Sequence, residues 1–290
     1  MCRLFGFHAS EPTRIECGLV RSQNSLLAQG IRDRAGLTHG HGWGIAEYRD
    51  APLPLLEKQA WAAWEGEQFK KRSANVYART VIAHVRRATV GAPTLVNTHP
   101  FVHGHWAFAH NGTVKGFERV RPLLLESIDP LHRNEIHGET DSEHVFRLLL
   151  SVWSRHPARC LMETMRLVVR QVVHWSTQAA PGELTSLNLL WTDGKHMVGT
   201  RLNRTLWYLE REGDPACEIC GKPHVHHHSR SPYRSIDIAS EPLTGESWRG
   251  IPNGTVFCID PDMRLHIEPL GLPPELVEGA VALPARAAPL

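Results

Sequence analysis

Cys2 directly follows Met1, and it is the first residue whose type and position could do chemistry. A side chain as small as that of Cys permits removal of the initiator Met. The exposed residue would then carry a thiol and a free α-amine together. A thiol needs a base to become a nucleophile near neutral pH. An α-amine titrates near ~7.7–8.0 and can be that base, with proximity built in. The alternative is that Cys2 simply opens an N-terminal strand.

Further along, polar groups recur at sites suited to gripping a small polar molecule. His84-Val85-Arg86-Arg87-Ala88-Thr89 follows an apolar run. An Arg at a strand end can hold a carboxylate bidentately, with the Thr89 hydroxyl alongside, or it can belong to a surface Arg pair. Asn97-Thr98-His99-Pro100-Phe101 supplies a polar turn. In His110-Asn111-Gly112-Thr113 the Asn amide and the Gly112 N–H could aim at one oxygen and form an oxyanion hole; the dipeptide is equally a common hairpin turn. Gly138-Glu139-Thr140-Asp141-Ser142-Glu143 sets Asp141 at a helix start, where it could hold an ammonium or cap the helix. His41-Gly42-Trp43-Gly44 offers a Gly-flanked aromatic, suited to lining a pocket or to packing in the core from a tight turn.

These residues need strands and helices to hold them. Cys2–Phe7 reads as a strand and 24–30 as a helix with Leu26 and Leu27 inward. A strand is expected over 75–85, and another over 105–109 that ends at an Asn111-Gly112 turn. Thr140 with Glu143 has capping-box form and opens a helix through Val145, Phe146, Leu149 and Trp153; a second helix covers 159–175. Strands return at 186–192, 196–201, 206–210, 235–239, 255–259 and 264–268, and Asp193-Gly194 turns between the first two. Strands, adjacent helices and strands again, without βαβ alternation, predict an α+β fold of mainly antiparallel sheets sandwiched by helices.

Taken in order, Cys2-Arg3, Gly42-Trp43-Gly44, His84-x-Arg86-x-Ala88-Thr89, Asn97-Thr98-His99-Pro100, His110-Asn111-Gly112 and Gly138 to Glu143 resemble the class II glutamine amidotransferases, members of the N-terminal nucleophile hydrolases. The stretch 187–201 and Ser240-Glu241-Pro242-Leu243 with Trp248 are similar to the stand-alone, single-domain branch. The resemblance covers roughly residues 2–268. It implies a four-layer αββα sandwich. Cys2 would attack the side-chain amide of glutamine with its own α-amine as base. Arg86 and Thr89 would hold the α-carboxylate and Asp141 the α-ammonium, Asn111 and Gly112 would form the oxyanion hole, and His99 and Trp43 would stand near the pocket. The products would be ammonia and, through a γ-glutamyl thioester, glutamate. Some stand-alone relatives hydrolyse other γ-glutamyl amides, as in ergothioneine synthesis, so the leaving amine stays open.

The remainder of the chain bounds the reading. It has 290 residues, 42% of them hydrophobic, and a formal charge of +2, as in an ordinary globular protein. So balanced a charge gives no support to a nucleic-acid or membrane-surface partner. No apolar run approaches the ~20 residues of a membrane span, and the first residues lack a signal-peptide pattern, so the expected compartment is cytoplasmic. Residues 2–270 read as one amidotransferase domain with a Cys/His-rich insert at 212–232, and 271–290 as a C-terminal tail. Without a second domain to use it, the ammonia would pass to a separate accepting protein or be released. The chemistry needs no cofactor. In the insert, Cys217, Cys220, His224 and His226 are candidate ligands of a structural zinc, the alternative being a Cys/His-rich surface loop. Two further function classes compete with the enzyme: a non-catalytic glutamine-binding subunit, and a zinc module for nucleic acid.

Overall fold

The computed structural model describes residues 2–213, 216–225 and 232–277. The first strand, β1 (Arg3–Arg14), lies in the middle of a seven-stranded sheet. Its neighbours are β4 (Tyr77–Val85) and β10 (Arg234–Ala239). Beyond β4 come β2 (Trp43–Tyr48) and β3 (Leu55–Gln59); beyond β10 come β9 (Trp207–Glu212) and β11 (Arg249–Gly250). The second sheet has six strands in the order β13 (Leu265–Pro269), β12 (Thr255–Ile259), β8 (Met197–Arg201), β7 (Ser186–Thr192), β6 (Trp106–Thr113) and β5 (Phe101–His103). Every pairing is antiparallel.

Period-two alternation gives each sheet two faces, and both are covered. Leu4, Ile82, Ala107, Ala109, Leu190 and Phe257 fill the space between the sheets. Phe5, Phe7, Trp43, Ile45, Val81 and Val85 fill the outer face of the first sheet, beneath α1 (Leu26–Ile31) and α2 (Gln68–Ala74). The outer face of the second sheet packs against α3 (Phe117–Ser127), α5 (Asp141–Arg155) and α6 (Leu161–Ala179), with Phe108 stacked on Phe146. A single turn, α4 (Pro130–Arg133), leads into α5. The α+β sandwich of antiparallel sheets between helix layers is therefore the fold observed.

Several elements depart from the sequence reading. Asn111 and Gly112 are not a turn: β6 runs through them, with Asn111 opposite Asn188 and Gly112 opposite Leu187. Gly112 serves close approach, because a Cβ there would sit 2.0 Å from the Ser186 carbonyl oxygen. Trp43 is not in a turn either. It opens β2, whose six residues are all buried and so show no alternation to read. The helix α3 carries Pro122 inside it, which hides its pattern. Of the stretch read as tail, 271–277 docks on the second core: Asn253 Nδ2 donates to Val277 O at 2.5 Å, and Asn203 Nδ2 donates to Leu276 O at 2.9 Å.

Burial of histidine makes this fold acid-sensitive. Burial first of all lowers His8 to about 4 and His84 to about 3 from an ordinary 6.5. Below pH 6.5 the unfolded chain takes up protons that the folded chain refuses, so stability is lost as pH falls toward those values. Each such group contributes a slope of about 1.4 kcal/mol per pH unit. Urea denaturation between pH 7 and pH 5 should show this fall, and His84→Asn should flatten it by about that slope. An unchanged slope would show that His84 does not carry it.

Candidate active site

Cys2 stands just before β1, and its position is fixed by the next residue. Arg3 is buried and donates from Nη1 to the Cys2 carbonyl at 3.0 Å. Its Nη2 pairs with Asp33 Oδ2 at 2.5 Å and Glu241 Oε1 at 2.9 Å. His39 Nε2 lies 2.9 Å from the same Asp33 oxygen, and Asn24 Nδ2 donates to Glu241 Oε2 at 3.3 Å. Charges out of water are tolerated when paired and hydrogen-bonded, and this cluster is both. The chain start is thereby held against loop 33–39 and the segment after β10.

The Cys2 Sγ meets the backbone of Arg87: it accepts from the Arg87 N–H at 3.4 Å and donates to the Arg87 carbonyl at 3.5 Å. Burial pushes the thiol up; the Arg87 N–H and the Arg86 charge oppose this, and the Asp141 carboxylate adds to it. The Arg86 and Asp141 charges thus act on the thiol in opposite directions.

Arg86 leaves the end of β4 and is 2% exposed. Its guanidinium donates to Ala92 O and Val90 O, both at 2.9 Å, and to Gly91 O at 3.1 Å. Asn97 Nδ2 donates to the same Ala92 carbonyl at 3.0 Å, and Asn97 Oδ1 accepts from Glu139 N at 2.8 Å. No carboxylate forms a salt bridge with Arg86 among the described residues. Thr89, exposed at the rim, has its Oγ1 3.4 Å from Thr113 Oγ1, just past Gly112.

Asp141 begins α5, with Thr140 as cap: Thr140 Oγ1 accepts from Glu143 N at 3.2 Å. Asp141 Oδ2 accepts from Val114 N at 2.8 Å, tying the helix start to the end of β6, and Oδ1 accepts from Ser142 N at 2.8 Å. No Lys or Arg forms a salt bridge with Asp141 among the described residues, although it is only 4% exposed. Asn111 Nδ2 donates to Ser240 Oγ at 3.2 Å, and that hydroxyl accepts from Leu4 N at 3.0 Å. Ser240 thus links the first strand to β6 across the two sheets.

The structure brings Cys2, Arg86, Thr89, Asn111, Gly112 and Asp141 together at one end of β1, β4, β6 and α5. It does not bring the Trp43 side chain there. Trp43 lies level with Val85 and Arg3 at that end of the sheet, but its side chain lies on the outer face with Val85, packed edge-on against Phe69 at 5.2 Å. His99 is buried in a stack, 4.3 Å from His84 and 4.6 Å from Phe101. Burial holds it well below its ordinary value, so it is neutral. Arg3, Asp33, Glu241 and Ser240 carry supporting roles that spacing alone does not reveal. Arg3, Ser240 and Glu241 stand inside the family-like stretches, whereas nothing local marks Asp33 as a partner.

A second cluster lies elsewhere. Cys217, Cys220 and His224 gather around Cys17, all ligand atoms within 4.8 Å of one another. The fourth sequence candidate, His226, lies outside the described residues.

Comparison with known proteins decides the family. Residues 1–262 match the family described as glutamine amidotransferases class-II. The chain belongs to that family. It is 29% identical over 298 residues to a Saccharomyces cerevisiae protein named as probable glutamine amidotransferase DUG3, covering 89% of this chain and 82% of the relative. A gamma-glutamyl-hercynylcysteine sulfoxide hydrolase of Mycobacterium tuberculosis is 37% identical over 118 residues, 39% of this chain and 50% of its own. The structure of a glutamine aminotransferase class-II domain protein from Silicibacter pomeroyi superposes with a TM-score of 0.61 at 20% identity. It covers 93% of this chain and 100% of that one, and shares the fold. Among the described residues no helix is long and apolar enough to cross a membrane.

The Arg3 cluster yields a stability test. Arg3→Met would leave Asp33 buried without a cation and Glu241 with only the distant Arg34, 3.9 Å away, a loss of about 3–5 kcal/mol in chemical denaturation. A loss below about 1 kcal/mol would mean that the two carboxylates are reached by water.

Proposed function

We propose that this chain is an amidohydrolase that cleaves the γ-amide of glutamine, with Cys2 as nucleophile. The observation that supports this most directly is the pair of buried ionic groups beside Cys2, Arg86 and Asp141, which lack salt-bridge partners of their own among the described residues. Buried charges ordinarily require partners. Free glutamine brings one carboxylate and one ammonium, and fits both. A carboxylate has about four acceptor positions; Asp141 uses three, counting the Ser142 hydroxyl at 3.2 Å. Arg86 keeps donors beyond its three carbonyl bonds, with the Thr89 hydroxyl at the rim.

Removal of Met1 frees the Cys2 α-amine. The amine takes the thiol proton as sulfur attacks the side-chain amide carbon. The carbonyl oxygen becomes an oxyanion, stabilised by Asn111 and the Gly112 N–H. Asn111 Oδ1 is buried without a hydrogen-bond partner while its Nδ2 faces Ser240, whose own proton needs an acceptor. Turning the amide by half a revolution satisfies both: Ser240 donates to Oδ1, and Nδ2 is freed for the oxyanion. The amine then returns the proton to the leaving nitrogen, ammonia departs, and water hydrolyses the γ-glutamyl thioester to glutamate. The ammonia is released or passed to a separate accepting protein. No step draws on a cofactor.

A second reading keeps the same γ-glutamyl half and changes the leaving amine. The likeness to the γ-glutamyl hydrolase of Mycobacterium tuberculosis favours it. Glutamate release from glutamine and from a bulkier γ-glutamyl amide, measured side by side, separates the two.

Intact mass should show loss of Met1, and Cys2→Ala should abolish glutamate release. Asn111→Ala should lower kcat by about 10²–10³ with little change in KM. Retained Met1 and no Cys2-dependent glutamate would sink the proposal.

A further inference from the structure

Cys17, which lies 200 positions before Cys217 in sequence, sits in a single π-helical turn, Cys17–Arg21, on the outer side of the first sheet. The Cys217 loop is folded onto it by specific contacts. Val225 bridges to Thr13 near the end of β1, and Arg14 N donates to His224 O at 3.0 Å. Within the loop, Gly221 N donates to Cys217 O at 2.7 Å and Cys217 N donates to Lys222 O at 3.1 Å, which curls the C-x-x-C into a tight knuckle. Two separate stretches of chain therefore present three thiols and one imidazole to a common point. The Cys220 sulfur and His224 Nε2 are 3.2 Å apart, and all four ligand atoms lie within 4.8 Å of one another.

We propose that Cys17, Cys217, Cys220 and His224 form a closed, tetrahedral zinc site that staples the insert to the end of β1. A tetrahedral shell with Zn–S near 2.3 Å and Zn–N near 2.0 Å has edges of roughly 3.5–3.8 Å, within the spread observed here. Three sulfurs and one nitrogen are a donor set that suits zinc over the hard, oxygen-seeking cations. A disulfide would engage two of the thiols and leave the convergence of Cys17 and His224 without a purpose. Four protein ligands leave no open position, so the site is structural rather than catalytic. It also stands apart from Cys2. Arg3 pairs with Val85 and Thr13 with Ala78, roughly 23 Å apart along β4 at about 3.3 Å per residue. The zinc site thus holds one end of β1 while the candidate active site holds the other. The proposed set takes its fourth ligand from Cys17, where the insert alone offered His226, which lies outside the described residues.

Native mass spectrometry and elemental analysis of the full chain, purified under reducing conditions, test this directly. About one zinc per chain is expected. It should be lost in Cys17→Ser and Cys220→Ser and retained in His226→Ala. Retention of zinc in Cys17→Ser, or its loss in His226→Ala, would overturn the assignment. So would a metal-free chain that takes up no added zinc, or a Cys217–Cys220 disulfide recovered without metal. Should the cysteine variants fail to fold, cobalt substitution of the wild-type chain gives the answer: a charge-transfer band of three-thiolate intensity supports the site, and one of two-thiolate intensity or none contradicts it.

Discussion

The Arg3 guanidinium is the constraint on which the candidate active site depends. One side chain holds the Cys2 carbonyl, the Asp33 carboxylate and the Glu241 carboxylate. An N-terminal residue is normally among the least ordered in a domain, because nothing precedes it to pin it down. Here the residue after it is buried in an ion cluster whose partners come from two distant segments. The proposed role of Cys2 as nucleophile would need this, since a displacement of about 1 Å can cost two orders of magnitude in rate. Ser240 continues the arrangement: its hydroxyl takes the Leu4 N–H and its oxygen faces Asn111, so one residue ties the start of β1 to Asn111.

The two-sheet sandwich explains why these groups can meet at all. β1 and β4 belong to one sheet and β6 to the other, and α5 docks on the outer face of the second. Their ends open at the same edge. Arg86 ends β4, Gly112 lies near the end of β6, and Asp141 starts α5 and takes the Val114 N–H. Each charged group is fixed by the backbone rather than by an opposite charge: Arg86 by three carbonyls, Asp141 by two N–H groups. This spends their hydrogen-bonding geometry on orientation and leaves each charge without an opposite charge in a salt bridge among the described residues, as the proposed glutamine site would require.

What was legible in the sequence was local. Thr140 with Glu143 gave the start of α5, Asp193-Gly194 gave the β7–β8 turn, and the ordered motifs pointed to the family and to the residues gathered around Cys2. What was not legible depended on distance or on burial from both sides. Asn-Gly is a frequent turn, and only the Ser186 carbonyl beside Gly112 makes it a strand. Trp43 between two glycines looks mobile, and only its contact with Phe69 places it in the outer core. Asp33 and Cys17 carry no local mark of the residues they meet, Arg3 and the Cys217 loop, because those lie far along the chain.

The central claim is that one glutamine-shaped site surrounds Cys2. A chloromethyl ketone built on the glutamine skeleton tests it with the protein's five other cysteines as competitors. After brief exposure, peptide mapping should find a single adduct, on Cys2, that glutamine suppresses and Asp141→Asn slows. An adduct chiefly on the exposed Cys160, with Cys2 unmodified and glutamine without effect, would contradict the account.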